Sequence, residues 1–193
     1  KYIYRKGLAI RYGKTMQCVS GIHYNFSLSD KSLKQLGYSS QNEKNKAYLN
    51  LIRNFKRLFW FVLIEFGNSP VVDKSFVAGR TSDLNILNKT DLFKPDATSL
   101  RMSDIGYQSK AQKNLNFKYN DLDEFLSGLR SVIINPYPDF EDLGLKDIHN
   151  EFQQISSGIL QIENELYDCI RPKRASKNGR RPYQLLKEEG IQY

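Results

Sequence analysis

Between Met16 and Leu28 apolar and polar residues alternate. Ile22, Tyr24, Phe26 and Leu28 fall on one face; Gln17, Val19, Gly21, His23, Asn25 and Ser27 fall on the other. This period predicts a strand with an apolar back and a mostly polar front. The spacing then becomes helical. Ser40 and Glu43 stand at capping-box distance, and Tyr48, Leu51, Ile52, Phe55, Leu58, Phe59, Val62 and Phe66 recur on one stripe. Trp60, Phe61, Leu63 and Ile64 make the last two turns apolar nearly all round, so that end is expected to be buried, with Gly67 and Pro70 stopping the helix. From Phe76 to Asp96 the chain is rich in Asn, Asp and Thr and reads as an exposed loop or excursion.

A second helix is predicted with Asn120 as N-cap and Asp121, Asp123 and Glu124 in its first turn. Its buried stripe is Leu122, Phe125, Leu126, Leu129, Val132 and Ile133, and Pro136 closes it. The stretch "LQIENELY" (160 to 167) alternates again, setting Gln161, Glu163, Glu165 and Tyr167 against Leu160, Ile162 and Leu166 and predicting another strand, with Asn164 breaking the apolar side. Strands with one polar face and helices with apolar stripes predict an α+β layer arrangement. Helices cover one side of the sheet in it, and the polar side is open to a ligand.

Composition narrows the class. In 193 residues, 40% hydrophobic and 12% aromatic content supports a real core. A net charge of +8 points to nucleic acid, to an anionic small ligand such as a nucleotide, or merely to a basic surface. Cys18 and Cys169 are too few for a disulfide framework and lack metal-site spacing, which favours a reduced, cytoplasmic setting. The longest apolar run, Leu58 to Ile64, is far short of the roughly 20 residues that span a bilayer. The chain opens on Lys1 in what reads as mid-domain sequence. It closes with a helix bounded by Pro182 and Gly190, followed by the start of a strand. It is expected to be an excised piece of a longer polypeptide.

Three places carry candidate chemistry. A lone strand histidine is usually structural, but Gly21, Gln17, Asn25 and Ser27 on the face of His23 offer space and hydrogen bonds instead of apolar packing. Its imidazole there suits a divalent cation or a phosphate. Around Gly106, Arg101, Ser103, Asp104, Tyr107 and Gln108 crowd together, either as a surface turn or as an Arg fork gripping a carboxylate beside Tyr107. Arg171, Lys173, Arg174, Lys177, Arg180 and Arg181 form a basic cluster that suits a triphosphate, an RNA backbone or solvent. Glu163 and Glu165 beside it argue against an RNA groove, because they would repel phosphates without intervening metal ions. No pattern for nucleophilic catalysis or a Walker phosphate loop occurs.

The strings "YRKGLAIRYG", "MQCVSGIHYNFS", "ATSLRMSDIGYQSKAQ" and "LQIENELYDCIRPKR" together resemble the proteobacterial-type glutamate–cysteine ligase (γ-glutamylcysteine synthetase) family. The resemblance covers nearly the whole chain, in order, and matches the middle of the family's longer catalytic domain. It implies a glutamine-synthetase-like fold, with a curved, mainly antiparallel sheet and helices packed on one face. It also implies ATP with Mg²⁺ (or Mn²⁺), conversion of the γ-carboxylate of L-glutamate to an acyl phosphate, and attack by the amine of L-cysteine. Carried over residue by residue, His23 matches a metal ligand, and Tyr4, Leu8, Gln17, Val19, Arg101, Tyr107 and Tyr167 match positions around the amino-acid substrates. Val19 stands where isoleucine is usual. Arg171, Lys173 and Arg174 match a region near the nucleotide phosphates.

The implied protein is expected to be a cytoplasmic, monomeric enzyme without membrane or nucleic-acid partners. The alternatives are a basic nucleic-acid-binding module using residues 171 to 181, or a related ligase acting on another amine. Most of the family's metal carboxylates precede this stretch, and further metal and substrate residues follow it. A site with His23 and one of Glu163 or Glu165 as its donors is incomplete. The isolated 193-residue chain is therefore expected to have no ligase activity, and its ADP release with L-glutamate and L-cysteine should stay at background; turnover by a preparation free of other ligases is the contrary result.

Overall fold

A computed structural model describes residues 1–18, 23–67, 69–79, 81–100 and 110–173. The chain divides into two compact units, Lys1–Gly21 with Leu58–Leu115 and Gly144–Ile155, and Ile22–Arg57 with Asn116–Leu143 and Ser156–Tyr193.

The first unit opens with helix α1 (Tyr2–Tyr12), a stretch without the two-residue alternation seen further on. Its signal is Tyr4, Leu8 and Tyr12 at four-residue spacing, which puts all three on one face; Leu8 and Tyr12 are buried. Gly13 ends the helix at φ 87°, a conformation natural to glycine. A 3-10 turn, Thr15–Cys18, follows. The Phe76–Asp96 stretch is more ordered than a loop. Strands β1 (Val71–Asp73), β2 (Asn85–Ile86) and β3 (Asp91–Phe93) form an antiparallel sheet in the order β1-β3-β2, with Leu92 buried on the central strand. Asn88 sets the β2–β3 turn, its Oδ1 accepting from the N–H of Thr90 and of Asp91 at 2.8 Å each.

In the second unit α2 (Asp30–Gln35) is capped by Ser29. The long helix α3 (Gln41–Phe66), assigned to this unit as far as Arg57 and to the first unit from Leu58, starts on the expected capping box: the Ser40 N–H donates to Glu43 Oε2 at 2.8 Å, and the Glu43 N–H donates to Ser40 Oγ at 3.3 Å. After a short α4 (Lys110–Lys113) in the first unit, α5 (Leu122–Ile134) buries Phe125, Leu129 and Ile133, as its stripe predicts. Its cap is Asp121, one residue later than expected, with Oδ1 accepting from Asp123 and Glu124 N–H groups. A proline-started turn of helix, α6 (Pro138–Glu141), completes the set.

Three expectations fail on contact with the fold. Among the described residues of 16–28 there is no strand; 16–18 belong to a 3-10 turn, 23–28 are irregular, and Tyr24 and Phe26 are exposed. Residues 19–22 lie outside the described residues. Residues 160–167 are not a strand either, since Glu163–Glu165 is a 3-10 turn. Alternation reports how residues segregate, whereas a strand also needs a neighbour to take its backbone hydrogen bonds. The C-terminal end of α3 is exposed, not buried: Leu58, Trp60, Phe61, Ile64 and Phe66 all face solvent. Apolar pattern identifies what seeks cover without supplying the cover. No helix among the described residues is long and apolar enough to cross a membrane.

The 156–160 segment lies against the end of α5. The Leu160 N–H donates to Val132 O at 3.1 Å, and Pro136 and Gly158 form an antiparallel bridge. A Cβ on Gly158 would meet Ile133 O at 2.4 Å and Val132 O at 2.6 Å, both backbone atoms that cannot swing aside. Gly158→Ala should destabilise the chain by about 2–3 kcal/mol through this overpacking, read as a lower midpoint in thermal unfolding followed by circular dichroism.

Candidate functional site

The candidate residues begin on α1. Tyr4 is half-buried and Leu8 buried on the same helix face. The 3-10 turn folds Gln17 back on α1, where Arg5 Nη1 donates to Gln17 Oε1 at 3.3 Å and Gln17 Nε2 donates to Arg5 O at 3.2 Å. The first unit thus brings Tyr4, Leu8 and Gln17 into one neighbourhood. Two further ties hold α1 in place. Arg11 donates through Nε and Nη2 to Gln154 Oε1 at 3.0 and 2.8 Å, and buried Gln154 donates on to Gly144 O at 2.8 Å. Lys6 Nζ pairs with Asp147 at 2.8 Å. Asp147 also organises its own loop, its Oδ1 accepting from the N–H of His149 at 2.9 Å and of Glu151 at 3.0 Å.

The remaining described candidates lie in the second unit. His23 is exposed, on an irregular segment. Two residues on, Asn25 accepts from Lys173 Nζ at 3.2 Å, so the segments bearing His23 and Lys173 meet. Tyr167 follows the 3-10 turn and is half-buried. Arg171 spans back to that turn, Nη1 donating to Glu163 O at 2.9 Å and Nη2 to Asn164 Oδ1 at 3.2 Å. Glu165 is buried inside the turn, accepting the Gln161 N–H at 2.8 Å. Gln161 and Glu165 are therefore interior with Leu160 and Leu166, whereas two-residue alternation sets those pairs on opposite faces. Val19, Arg101, Tyr107 and Arg174 lie outside the described residues, as do Gly21, Ser103, Asp104, Gly106, Gln108, Lys177, Arg180 and Arg181.

Sequence reasoning missed a second cluster in this unit. Lys56 of α3 forms an ion pair with Asp168, and the Tyr119 hydroxyl donates to the same carboxylate at 3.0 Å. Lys56 Nζ also sits 4.5 Å from the centre of the Tyr119 ring. Burial and the Asp168 charge push the Tyr119 hydroxyl well above the usual phenol range, so it keeps its proton and remains a donor. Burial, helped by the same carboxylate, pushes the Cys169 thiol up to about 12, which makes it a poor nucleophile. Nothing within a few residues of Lys56 or Tyr119 signals the pairing, because its partners are 112 and 49 residues from Asp168.

Among the described residues no group of three or more His, Cys, Asp or Glu side chains is arranged to hold a metal ion. A cation site of that kind would need donors from outside the described residues.

The family model for glutamate–cysteine ligase matches residues 1–193. The chain belongs to the glutamate–cysteine ligase family. Glutamate–cysteine ligases of Pseudomonas aeruginosa strain PAO1 and Pseudomonas putida strain KT2440 are 50% and 48% identical to it over 199 residues, spanning 100% of this chain and 38% of each relative. The chain therefore spans well under half the length of the curated relatives it matches. The crystal structure of a Francisella tularensis glutamate–cysteine ligase in complex with AMP aligns with TM-score 0.81 and 37% identity, covering 97% of this chain and 37% of that one. The likeness agrees with the α+β class: helices with a small antiparallel sheet form part of a larger ligase fold.

In this family member the anchoring of α1 has a pH signature. The hydrogen bond from Lys6 holds Asp147 down to about 2, with the Glu151 and His149 N–H groups assisting. A carboxyl lowered in the folded state stabilises the fold fully above its unfolded value of about 4, and that contribution is lost as pH falls through the folded value. Asp147→Asn should therefore destabilise the chain at about pH 5 and much less at about pH 2.5. Urea unfolding of both proteins at the two pH values checks this.

Proposed function

We propose that these 193 residues are the central part of a single catalytic domain of an ATP-dependent ligase that joins L-glutamate to L-cysteine, giving γ-glutamylcysteine for glutathione synthesis. The observation that carries the reading is full-chain similarity at 50% identity to a glutamate–cysteine ligase. The fold likeness to a ligase solved with AMP supports ATP as co-substrate.

In the proposed reaction a γ-carboxylate oxygen attacks the γ-phosphorus of ATP and releases ADP. The amine of cysteine then attacks the acyl carbon, loses a proton and expels phosphate. Both steps bring negative groups together, so the protein's contribution is charge neutralisation and positioning. Arg101 fixes a substrate carboxylate through its planar fork. Tyr4, Leu8, Gln17, Val19, Tyr107 and Tyr167 surround the amino-acid substrates. Arg171, Lys173 and Arg174 lie near the ATP phosphates. The meeting of the Lys173 and His23 segments at Asn25 supports placing a phosphate cation and a metal-binding imidazole near each other. His23 is proposed as one ligand of Mg²⁺ or Mn²⁺, which supplies charge neutralisation at the phosphates when bound, its other donors coming from outside the described residues. The enzyme is proposed to be cytoplasmic and monomeric, and to bind neither nucleic acid nor membrane.

The test is ADP release by the full-length protein carrying these residues, supplied with Mg²⁺, ATP and L-glutamate, with and without L-cysteine. Release should depend on cysteine, and His23→Ala should lower it about 100-fold or more, as expected for loss of a direct metal ligand. Equal rates in the two proteins would remove His23 from the site. No release from the folded native protein would overturn the ligase assignment.

A further inference from the structure

The cluster around Asp168 has no place in the assignments above, and it is built with care. Arg53 and Lys56 stand three residues apart on α3, on adjoining positions of one face. Arg53 Nη1 donates to Tyr119 O at 2.6 Å, and Lys56 engages the Tyr119 ring and the Asp168 carboxylate. Tyr119 is buried and stacks on Phe125 of α5, centre to centre 5.2 Å. The other oxygen of Asp168 accepts the Cys169 N–H at 2.7 Å. Both carboxylate oxygens are thus engaged.

The segment this carboxylate belongs to also carries local closures. Glu165 closes on Gln161, and Arg171 closes on Glu163 and Asn164. Asp168 lies between Glu165 and Arg171 in sequence and links the loop to α3 and to Tyr119. Tyr167 is its immediate neighbour. Stability alone is a weak reason for a charged pair in a half-buried place, because apolar residues of similar volume commonly do as well. A directional, charge-assisted pair does set a backbone position more narrowly than apolar packing does.

We propose that Lys56, Tyr119 and Asp168 are positioning residues that hold Tyr167 in place and thereby set how well the protein accepts its amine substrate. This rests on the reading above that Tyr167 borders an amino-acid substrate. Tyr119→Phe removes one O–H and keeps the ring against Lys56 and Phe125, so it is the mildest probe. Asp168→Asn removes the charge.

The experiment is steady-state kinetics of the full-length protein, with L-cysteine and ATP varied separately, for the native form, Tyr119→Phe, Asp168→Asn, Tyr167→Ala and the Tyr119→Phe/Tyr167→Ala pair. Tyr119→Phe should raise KM for cysteine about 5-fold and Asp168→Asn about 20-fold, with kcat and KM for ATP changing by less than about 2-fold. With Tyr167 already replaced, adding Tyr119→Phe should change KM for cysteine by less than about 2-fold, because Tyr119 acts on the substrate only through Tyr167. A lower melting temperature with unchanged KM in the single variants would overturn the proposal and leave a purely structural cluster. So would equal effects of Tyr119→Phe in both backgrounds. If Asp168→Asn fails to fold, Tyr119→Phe decides the matter alone. A native protein without cysteine-dependent ADP release would overturn the ligase reading and this proposal with it, whereas an active native protein with unmoved KM values overturns the proposal only.

Discussion

The ion pair between Lys56 and Asp168, with the Tyr119 hydroxyl on the same carboxylate, is the constraint on which the second unit depends. It gathers three stretches far apart in sequence: the middle of α3, the lead into α5, and the loop after the Glu163–Glu165 turn. The side chains of Lys56 and Asp168 are 32% and 21% exposed, so the pair stands between a surface pair worth about 1 kcal/mol or less and a buried one whose disruption costs about 3–5 kcal/mol. What raises it above a surface pair is that every member has a second partner. Tyr119 is held at its carbonyl, its ring and its hydroxyl, and Asp168 at both oxygens. Geometry with that many restraints has given up its rotamer freedom on folding and leaves little to lose on binding.

The first unit solves the equivalent problem with polar residues of another kind. Helix α1 presents Tyr4 and Leu8, and its opposing ties run through Arg11 to buried Gln154 and through Lys6 to Asp147. Gln154 is the interior hinge of that arrangement, accepting from Arg11 and donating to Gly144 O. Burying a carboxamide is costly unless its groups are hydrogen-bonded, and here both ends are. In both units, then, candidate site residues sit beside a hydrogen-bonded polar knot, which fixes the backbone that carries them.

The exposed end of α3 shows the limit of pattern in the opposite direction. Trp60, Phe61 and Ile64 are as apolar as any core helix, and the helix forms as the spacing predicts. Their exposure is decided by what is packed against them, which no property of the helix can supply. The same separation explains the two failed strands. Alternation at 16–28 and 160–167 is real in the sequence, but the sheet that forms takes all its pairings from Val71 to Phe93.

Local rules carried the sequence a definite distance. The Ser40–Glu43 box, the acidic start and buried stripe of α5, and the stop signals after both helices act within a few residues of themselves, so composition and spacing suffice to place them. The strings that mark the family are also contiguous, and the class of chemistry they imply was legible for that reason. Tertiary structure alone decided the rest. It turned Gln161 and Glu165 inward against the alternation, returned Gln17 to α1, and set Lys173 beside the His23 segment. It also brought Lys56 and Tyr119 to Asp168. The Asp168 cluster joins part-buried polar groups across 112 and 49 residues of chain, where a donor or acceptor taken out of water needs a partner, and that partner is named by the fold and not by the neighbouring residues.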